Sequence, residues 1–150
     1  MIEKINYEKI LVPLDGSSKS FESFSYALRF SQAFEGSKIT LLHVVNEEQV
    51  KQMRLKGDSS YTNVGEVMQN QGIKYLNKAL NEAKMQGFNV NTIETKLLKG
   101  NVVEEIIKYA ENFDLIIMTA RGKKHVVEYL MGHVALRVIN LVNIPVLIVS

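Results

Sequence analysis

Short apolar runs alternate with longer stretches of helical periodicity along the whole chain. In the first of these stretches, Phe21, Phe24 and Leu28 recur at positions that share one face of a helix. The runs that predict strands cover 9–15, 38–45, 90–98, 114–119 and 145–149. Strands that alternate with helices are joined by crossover connections, which build a parallel sheet with helices on both faces. The pattern therefore predicts a single-domain, three-layer α/β/α sandwich with five parallel strands and four helices. The 90–98 run has one less apolar face, so it is predicted at a sheet edge.

The predicted helices also have recognisable ends and one long apolar stripe. Ser17 or Ser18 can accept a hydrogen bond from a backbone amide at the start of the first helix. Asn63 and Asn101 each precede a glutamate by three residues, which is the spacing of a capping box. Residues 46–62 show no clear period, so the pattern assigns them no element, and a loop over the ligand site is one interpretation. The stripe of the second predicted helix comprises Val64, Val67, Met68, Gln71, Tyr75, Leu76, Ala79 and Ala83.

The composition excludes several classes of protein. The chain has 150 residues, of which 46% are hydrophobic and 23% charged, as expected for one globular domain over 1–150. It contains no cysteine, which rules out disulfides, thiolate catalysis and cysteine-ligated metals. A net charge of +2 is too small to indicate a nucleic-acid partner. No signal-peptide layout is evident and no apolar run reaches the ~18 residues of a membrane span, so a cytoplasmic protein is predicted.

Polar and glycine residues directly after the predicted strands are candidates for a ligand site. In open parallel sheets, ligands bind beyond the carboxyl ends of the strands, where the strand order reverses. Asp15 and Gly16 follow the first strand, and a loop that runs to Gly132 follows the fourth. Gly122 and Gly132 lie ten positions apart in that loop, just before a predicted helix. Backbone amides at the start of that helix could bind an anion, so the loop is either a phosphate site or a plain surface turn.

Several motifs, taken in order, resemble one known family. They are KILVPLDGS at the first strand, ITLLHVV at the second, KGNVVEEIIKYA before the fourth, DLIIMTARG, the ten-residue step between the glycines, and the closing NIPVLIVS. In this arrangement the whole chain resembles the universal stress protein family. The resemblance implies a Rossmann-like sheet of strand order 3-2-1-4-5, with its switch point between the first and fourth strands. It also implies a nucleotide site, because nucleotide-binding members carry G-x2-G-x9-G followed by Ser or Thr and hold ATP there.

The resemblance further implies which residues hold the nucleotide and how the chain assembles. ATP or another adenine nucleotide would bind at the switch point, with Mg²⁺ present only alongside it. No catalytic or metal-binding residue is predicted, and any ATP hydrolysis should be slow because no general base is evident beside the loop. A homodimer is expected through residues 145–149, since an apolar edge strand risks aggregation unless it is covered. The residues implied for the nucleotide are Pro13, Leu14, Asp15, Val44, Met118, Thr119, Gly122, Gly132, His133, Val134 and Ala135.

Two positions depart from the family's nucleotide motif. Thr119 stands in place of the first glycine, and His133 in place of the final Ser or Thr. At Thr119 a branched side chain occupies space that a glycine would leave open. At His133 an imidazolium could add positive charge beside a phosphate, whereas a neutral imidazole could fill the cavity. Both departures count against ATP binding, while Asp15, Gly122 and Gly132 favour it.

Three functions remain open on the sequence alone. The favoured hypothesis is a nucleotide-binding stress protein that uses ATP as a state signal. The second is a protein of the same fold that does not bind ATP and acts by dimerising and binding protein partners. The third, an enzyme that cleaves the α–β bond of ATP, would need a serine- and glycine-rich loop of which DGSSKSFES is a faint version.

Several of the singled-out residues also have simpler interpretations. Asp15 could form only an Asx turn, in which its carboxylate accepts a hydrogen bond from a nearby backbone amide. His43 is interpreted as a hydrogen-bonded core histidine. Arg121, Lys123 and Lys124 are interpreted as a solvated face.

Overall fold

Five parallel strands form the centre of the molecule. The computed structural model describes residues 2–55, 63–120 and 132–150. The strand order is β3-β2-β1-β4-β5, and every adjacent pair is parallel. The predicted fold class, the strand order and the edge position of β3 are therefore confirmed. The strands are β1 (Lys9–Pro13), β2 (Lys38–Asn46), β3 (Ile93–Gly100), β4 (Leu115–Thr119) and β5 (Val146–Val149).

The described part of the chain forms five α-helices, one more than the sequence predicted. The additional helix, α2, lies inside the segment 46–62, to which the sequence pattern assigned no element. Only Val50 is buried on this helix, so its sequence shows no repeating apolar pattern. A short 3-10 helix at Val90–Thr92 also replaces the start of the predicted third strand. The α-helices are α1 (Ser18–Ser31), α2 (Glu47–Leu55), α3 (Val64–Met85), α4 (Val102–Ala110) and α5 (His133–Leu141).

The two faces of the sheet are covered by different pairs of helices. Successive residues of a strand point to opposite faces, so Ile10 and Val12 pack against α1 and α3 while Leu11 packs against α4 and α5. Both clusters consist of apolar side chains, and Ile10, Leu11 and Val12 are completely buried. The sheet is thus buried on both faces, as expected for parallel strands.

Hydrogen bonds at the start of β1 attach it to β4 before the ladder begins. The Asp114 carboxylate accepts from the backbone amides of Glu8 at 3.1 Å and Lys9 at 3.0 Å. The Asp114 amide in turn donates to the Lys9 carbonyl at 2.8 Å. These bonds align two strands that are separated by about a hundred residues of sequence, and they set which residues meet at the carboxyl edge.

The apolar stripe of α3 differs from the predicted one. Val67 is 60% exposed and Gln71 is also exposed, whereas Gly72 is buried. A glycine contributes no hydrophobic signal to a sequence pattern, so Val67 and Gln71 were assigned to the buried line in its place. The residues that do line the core are Val64, Met68, Gly72, Tyr75, Leu76, Ala79, Leu80 and Ala83.

None of the helices in the described ranges combines the length and the apolarity that crossing a membrane requires.

The three predicted helix caps differ in their hydrogen bonds. The Ser17 hydroxyl accepts from the Ser20 amide at 3.1 Å, and the Asn101 carboxamide oxygen accepts from the Glu104 amide at 3.0 Å. Asn63 occupies the N-cap position of α3, but its side chain makes no capping bond. The caps of α1 and α4 are therefore confirmed, and that of α3 is confirmed in position alone.

We expect Asn101→Ala to lower the free energy of unfolding by about 1 kcal/mol, because it removes a side-chain acceptor from a helix amide. Asn63→Ala is the matched control and should cost less than about half of that, since no capping bond is lost. Urea denaturation of both variants measures the difference. Equal losses would show that the capping bond of α4 contributes little.

Candidate functional site

The direct pairing of β1 with β4 brings the predicted site residues to one edge of the sheet. Ile10 pairs with Leu115 and Leu11 with Ile116, so the carboxyl ends of the two strands lie side by side. β2 flanks β1 on its other side. The strand order reverses at this point, which is where ligands bind in open α/β sheets. The predicted residues at or near these carboxyl ends are Pro13, Leu14, Asp15, Val44, Met118 and Thr119.

The start of α5 is attached to the end of β4. The Gly132 amide donates a hydrogen bond to the Ala120 carbonyl, directly after β4. Gly132, His133, Val134 and Ala135 therefore lie at the same edge as the ends of β1 and β4. Gly122, together with the rest of 121–131, lies outside the described residues.

The geometry of α5's first turn suits an anion. Leu136 donates the first helical bond, to the Gly132 carbonyl at 2.9 Å, so the amides of 133–135 precede the helical ladder. Such amides and the positive end of the helix dipole both attract negative charge. His133 is exposed and Ala135 is buried.

Gly132 itself has an extended backbone, with φ −60° and ψ 148°. Any residue can adopt this conformation, so the backbone does not explain the glycine. Gly132 is buried at the N-cap position of α5.

Asp15 forms the turn between β1 and α1. Its carboxylate accepts from the Ser17 amide at 2.8 Å, and Ser17 then caps α1. Gly16, between them, has φ +86°, a conformation that side-chain-bearing residues rarely adopt. The Asx-turn interpretation of Asp15 is correct, and the half-buried carboxylate lies at the switch point as part of that turn.

The two faces of the sheet contribute differently to this edge. Met118 and Val44 belong to the cluster with α4 and α5, whereas Leu14 belongs to the cluster with α1 and α3. Thr119 follows Met118 in β4, so alternation directs its side chain to the opposite face from Met118. The branched side chain that stands in place of the motif's first glycine therefore lies on the face opposite Met118.

Sequence reasoning missed a contact group behind the β1–α1 turn. His43 Nδ1 lies 2.7 Å from the Leu14 carbonyl oxygen. A carbonyl can only accept, so Nδ1 carries the proton and donates, as expected for a hydrogen-bonded core histidine. The His43 ring also meets Tyr75 edge to face, with centroids 5.6 Å apart. Gly72 lies against the same imidazole. The sequence offered one signal for this group, a glycine in the middle of a long helix.

Two cavities are lined by described residues other than the predicted nucleotide residues. One, of about 230 Å³, lies between α4 and α5 near the amino end of β5, and it is lined by Ile107, Ala110, Glu111, Leu141, Val142, Asn143 and Ile144. The other, of about 140 Å³, is lined by Val45, Gly65, Gln69, Leu97, Leu98 and Lys99. Neither is lined by a predicted nucleotide residue. In the described ranges, no group of three or more His, Asp or Glu side chains is arranged to hold a metal ion.

Comparison with known proteins assigns the family. The sequence model of the universal stress protein family matches residues 6–150. The chain belongs to the universal stress protein family. Universal stress protein MJ0531 of Methanocaldococcus jannaschii is 31% identical over 96% of this chain and 82% of its own length. Universal stress protein MJ0577 of the same organism is 34% identical over 97% of this chain and 96% of its own length.

Solved structures share the fold. The structure of MJ0577 aligns with 97% of this chain and 96% of its own, with a TM-score of 0.79 and 28% identity. UspA from Lactobacillus plantarum aligns with 98% of this chain and 100% of its own, with a TM-score of 0.71 and 19% identity. The family assignment, first indicated by the ordered motifs, is confirmed.

We expect Gly72→Ala to lower the free energy of unfolding by about 1–3 kcal/mol, because a methyl group would overpack the site. A Cβ there would lie 2.5 Å from His43 Cδ2 and 2.9 Å from Leu97 Cδ1. Gly65→Ala, in the same helix, is the control. Its nearest neighbour would be the end of the flexible Arg54 side chain at 3.1 Å, so it should be neutral or stabilise by up to about 1 kcal/mol. Urea denaturation of both variants tests the contrast, and a stabilising Gly72→Ala would contradict it.

Proposed function

We propose that this universal stress protein binds ATP or a related adenine nucleotide at the carboxyl edge between β1 and β4, and that binding signals the nucleotide state in a stress response. One observation carries the proposal. The pairing of β1 with β4 puts the Asp15 turn and the amino end of α5 at a single switch point. One part offers a carboxylate that can accept from hydroxyl groups, and the other offers amides that attract phosphate.

The site suggests an orientation for the nucleotide. The apolar side chains of Val44 and Met118 lie on one face of the sheet and suit the adenine ring. Asp15 suits the ribose hydroxyls. The amides of 133–135 suit the phosphates, with Mg²⁺ entering only as part of the bound nucleotide.

Structures of other family members support the choice of ligand. A universal stress protein in complex with cAMP aligns with 97% of this chain, with a TM-score of 0.69 and 22% identity. A universal stress protein from Archaeoglobus fulgidus in complex with dAMP has a TM-score of 0.57 and 15% identity. At these identities the similarity concerns the fold alone, and the two complexes show that proteins of this fold can hold adenine nucleotides.

A signalling role is favoured over catalysis. Among the described residues, Asp15 has its carboxylate at the switch point. This carboxylate already accepts a hydrogen bond from the Ser17 amide. A general base must be able to reach the proton that it removes. We therefore propose at most slow hydrolysis of ATP.

A second candidate function, assembly without nucleotide, is favoured by the surface around β5. All four residues of β5 are only partly buried, although the strand is wholly apolar. The neighbouring α5 exposes Leu136 by 48%, Ile139 by 37% and Leu141 by 51%. We propose that two chains pair antiparallel through residues 145–149, which forms a closed homodimer by a two-fold axis. This assembly is compatible with either function.

For the nucleotide, we expect Thr119→Gly with His133→Ser to tighten ATP binding by at least about tenfold, since one charge-assisted hydrogen bond is worth roughly 1.5–3 kcal/mol. Most of the gain should come from His133→Ser, because the Thr119 side chain points away from the Met118 face. Gly132→Val should abolish binding, because its side chain would stand beside the first amides of α5. Equilibrium titration with ATP, ADP and AMP measures these effects on protein refolded to remove carried-over ligand.

The same titration distinguishes two roles for His133. If its imidazolium binds phosphate, His133→Ser alone weakens ATP binding. If the ring only obstructs the site, His133→Ser alone strengthens ATP binding. Absence of binding by every variant would remove the nucleotide proposal and leave the partner-binding function.

For the dimer, we expect Ile148→Pro to give a monomer. The carbonyl of Pro145 accepts from the Ile116 amide of β4 at 3.0 Å, and that of Val149 accepts from the Ala120 amide, directly after β4, at 3.4 Å. Because alternate residues of a strand bond to the same neighbour, the amide of Ile148 points to the open edge of the sheet. Proline would remove that donor without removing a β4–β5 bond. Light scattering at micromolar concentration measures the mass, and Ile148→Val is the control that keeps the amide. A monomeric wild type, or a dimeric Ile148→Pro, would contradict the proposed pairing.

A further inference from the structure

We propose that His43 and Tyr75 are positioning residues that hold the β1–α1 turn, Leu14–Ser17, so that Asp15 is presented to the adenosine end of the nucleotide. The inference rests on the proposed nucleotide function. It concerns the face of the sheet behind the ligand, because neither side chain belongs to the Val44 and Met118 face.

The position of His43 follows from strand alternation. Ile39 and Leu41 of β2 pack toward α1 and α3, so His43 points to that face, while Val44 points to the other. From there His43 reaches the end of β1. The Leu14 amide donates to the Leu42 carbonyl at 2.8 Å, and the Leu14 carbonyl accepts from His43 Nδ1 at 2.7 Å. Both backbone groups of Leu14 are thus bonded to β2, one residue before Asp15.

Tyr75 secures the next part of the turn. A Cβ built on Gly16 would overlap the Tyr75 ring, with Cε1 only 2.7 Å away. The ring therefore lies directly on the Gly16 backbone, whose φ of +86° already favours glycine. His43 supports the ring from the side, with the two ring planes at 68°.

Gly72 completes the contact group by admitting the imidazole. A side chain at this position of α3 would lie 2.5 Å from His43 Cδ2 and 3.0 Å from Nε2. Four residues therefore pack against one another: Gly16 of the turn, His43 of β2, and Gly72 and Tyr75 of α3. We name Gly16, His43, Gly72 and Tyr75 the turn clamp.

Clamping the turn has a consequence for binding. Asp15 bonds to the Ser17 amide within the turn, so the direction of its carboxylate depends on the backbone that the turn clamp holds. A group already held in its binding orientation avoids the entropy cost of being ordered by the ligand. Loosening the turn clamp should therefore weaken contacts with adenosine, while phosphate contacts at α5 stay unchanged.

The test compares His43→Leu with His43→Asn. Leucine removes the donor to Leu14, whereas the asparagine amide can replace the Nδ1 proton. We expect His43→Leu to weaken binding of ATP and of adenosine by at least about tenfold, the value of one hydrogen bond to a buried partner. Binding of inorganic tripolyphosphate should be unchanged, and His43→Asn should restore most of the ATP affinity. Equal loss for ATP and tripolyphosphate would overturn the inference.

A second measurement needs no ligand. Hydrogen exchange of the backbone amides, followed by NMR, should be faster at Gly16 and Ser17 in His43→Leu and in Tyr75→Ala, with Val12 in β1 as the internal control. Unchanged exchange at the turn, or equal acceleration at Val12, would overturn the inference. If wild type binds no nucleotide, the proposed function fails, and the exchange rates alone decide whether His43 and Tyr75 hold the turn.

Discussion

The pairing of β1 with β4 is the constraint on which the rest of the structure depends. In the described residues, two strands and four α-helices separate these neighbours along the chain, yet the Asp114 carboxylate holds them in register by accepting hydrogen bonds from amides at the start of β1. Their pairing marks the point at which the strand order reverses, which is where ligands bind in open α/β sheets. It also allows the start of α5 to attach beside the end of β4. Without this one pairing, the Asp15 turn and the amides of α5 would belong to separate parts of the surface.

The two faces of the sheet contribute residues with different roles at this edge. On the face of α4 and α5, the buried Val44 and Met118 belong to the core cluster at the position proposed for the adenine ring. On the face of α1 and α3, His43 and Tyr75 support the turn from behind. Because successive residues of a strand point to opposite faces, one short segment of β2 serves both purposes. His43, which supports the turn, is therefore the direct chain neighbour of Val44, a proposed ligand residue.

Gly16 and Gly132 differ in the physical reason for having a glycine at that position. Gly16 combines a positive φ with a tyrosine ring against its backbone, so its conformation and its surroundings both exclude a side chain. Gly132 has an extended backbone that any residue tolerates, and it is buried at the start of a helix whose amides precede the helical ladder. A glycine whose backbone does not require it is favoured where another group approaches closely. In the proposed nucleotide site, Gly132 lies at the phosphate end and Gly16 lies in the turn that presents Asp15.

The amino-acid sequence by itself determined the order and type of the main helices and strands, because buried strands and amphipathic helices leave periodic apolar patterns. It also determined the caps at Ser17 and Asn101, whose bonds span three residues. The ordered motifs carried the family and the strand order. The tertiary structure alone revealed helix α2, which buries a single valine, and the buried role of Gly72, which has no side chain to mark it.

The tertiary structure also decided what meets at the edge. The bond from His43 to Leu14 joins residues 29 positions apart, and the hydrogen bonds from Asp114 span more than a hundred. A local pattern records which side chains are apolar and how they repeat, so it predicts the elements. It does not record which elements pack together, because that depends on contacts between distant residues that form only when the sheet is assembled.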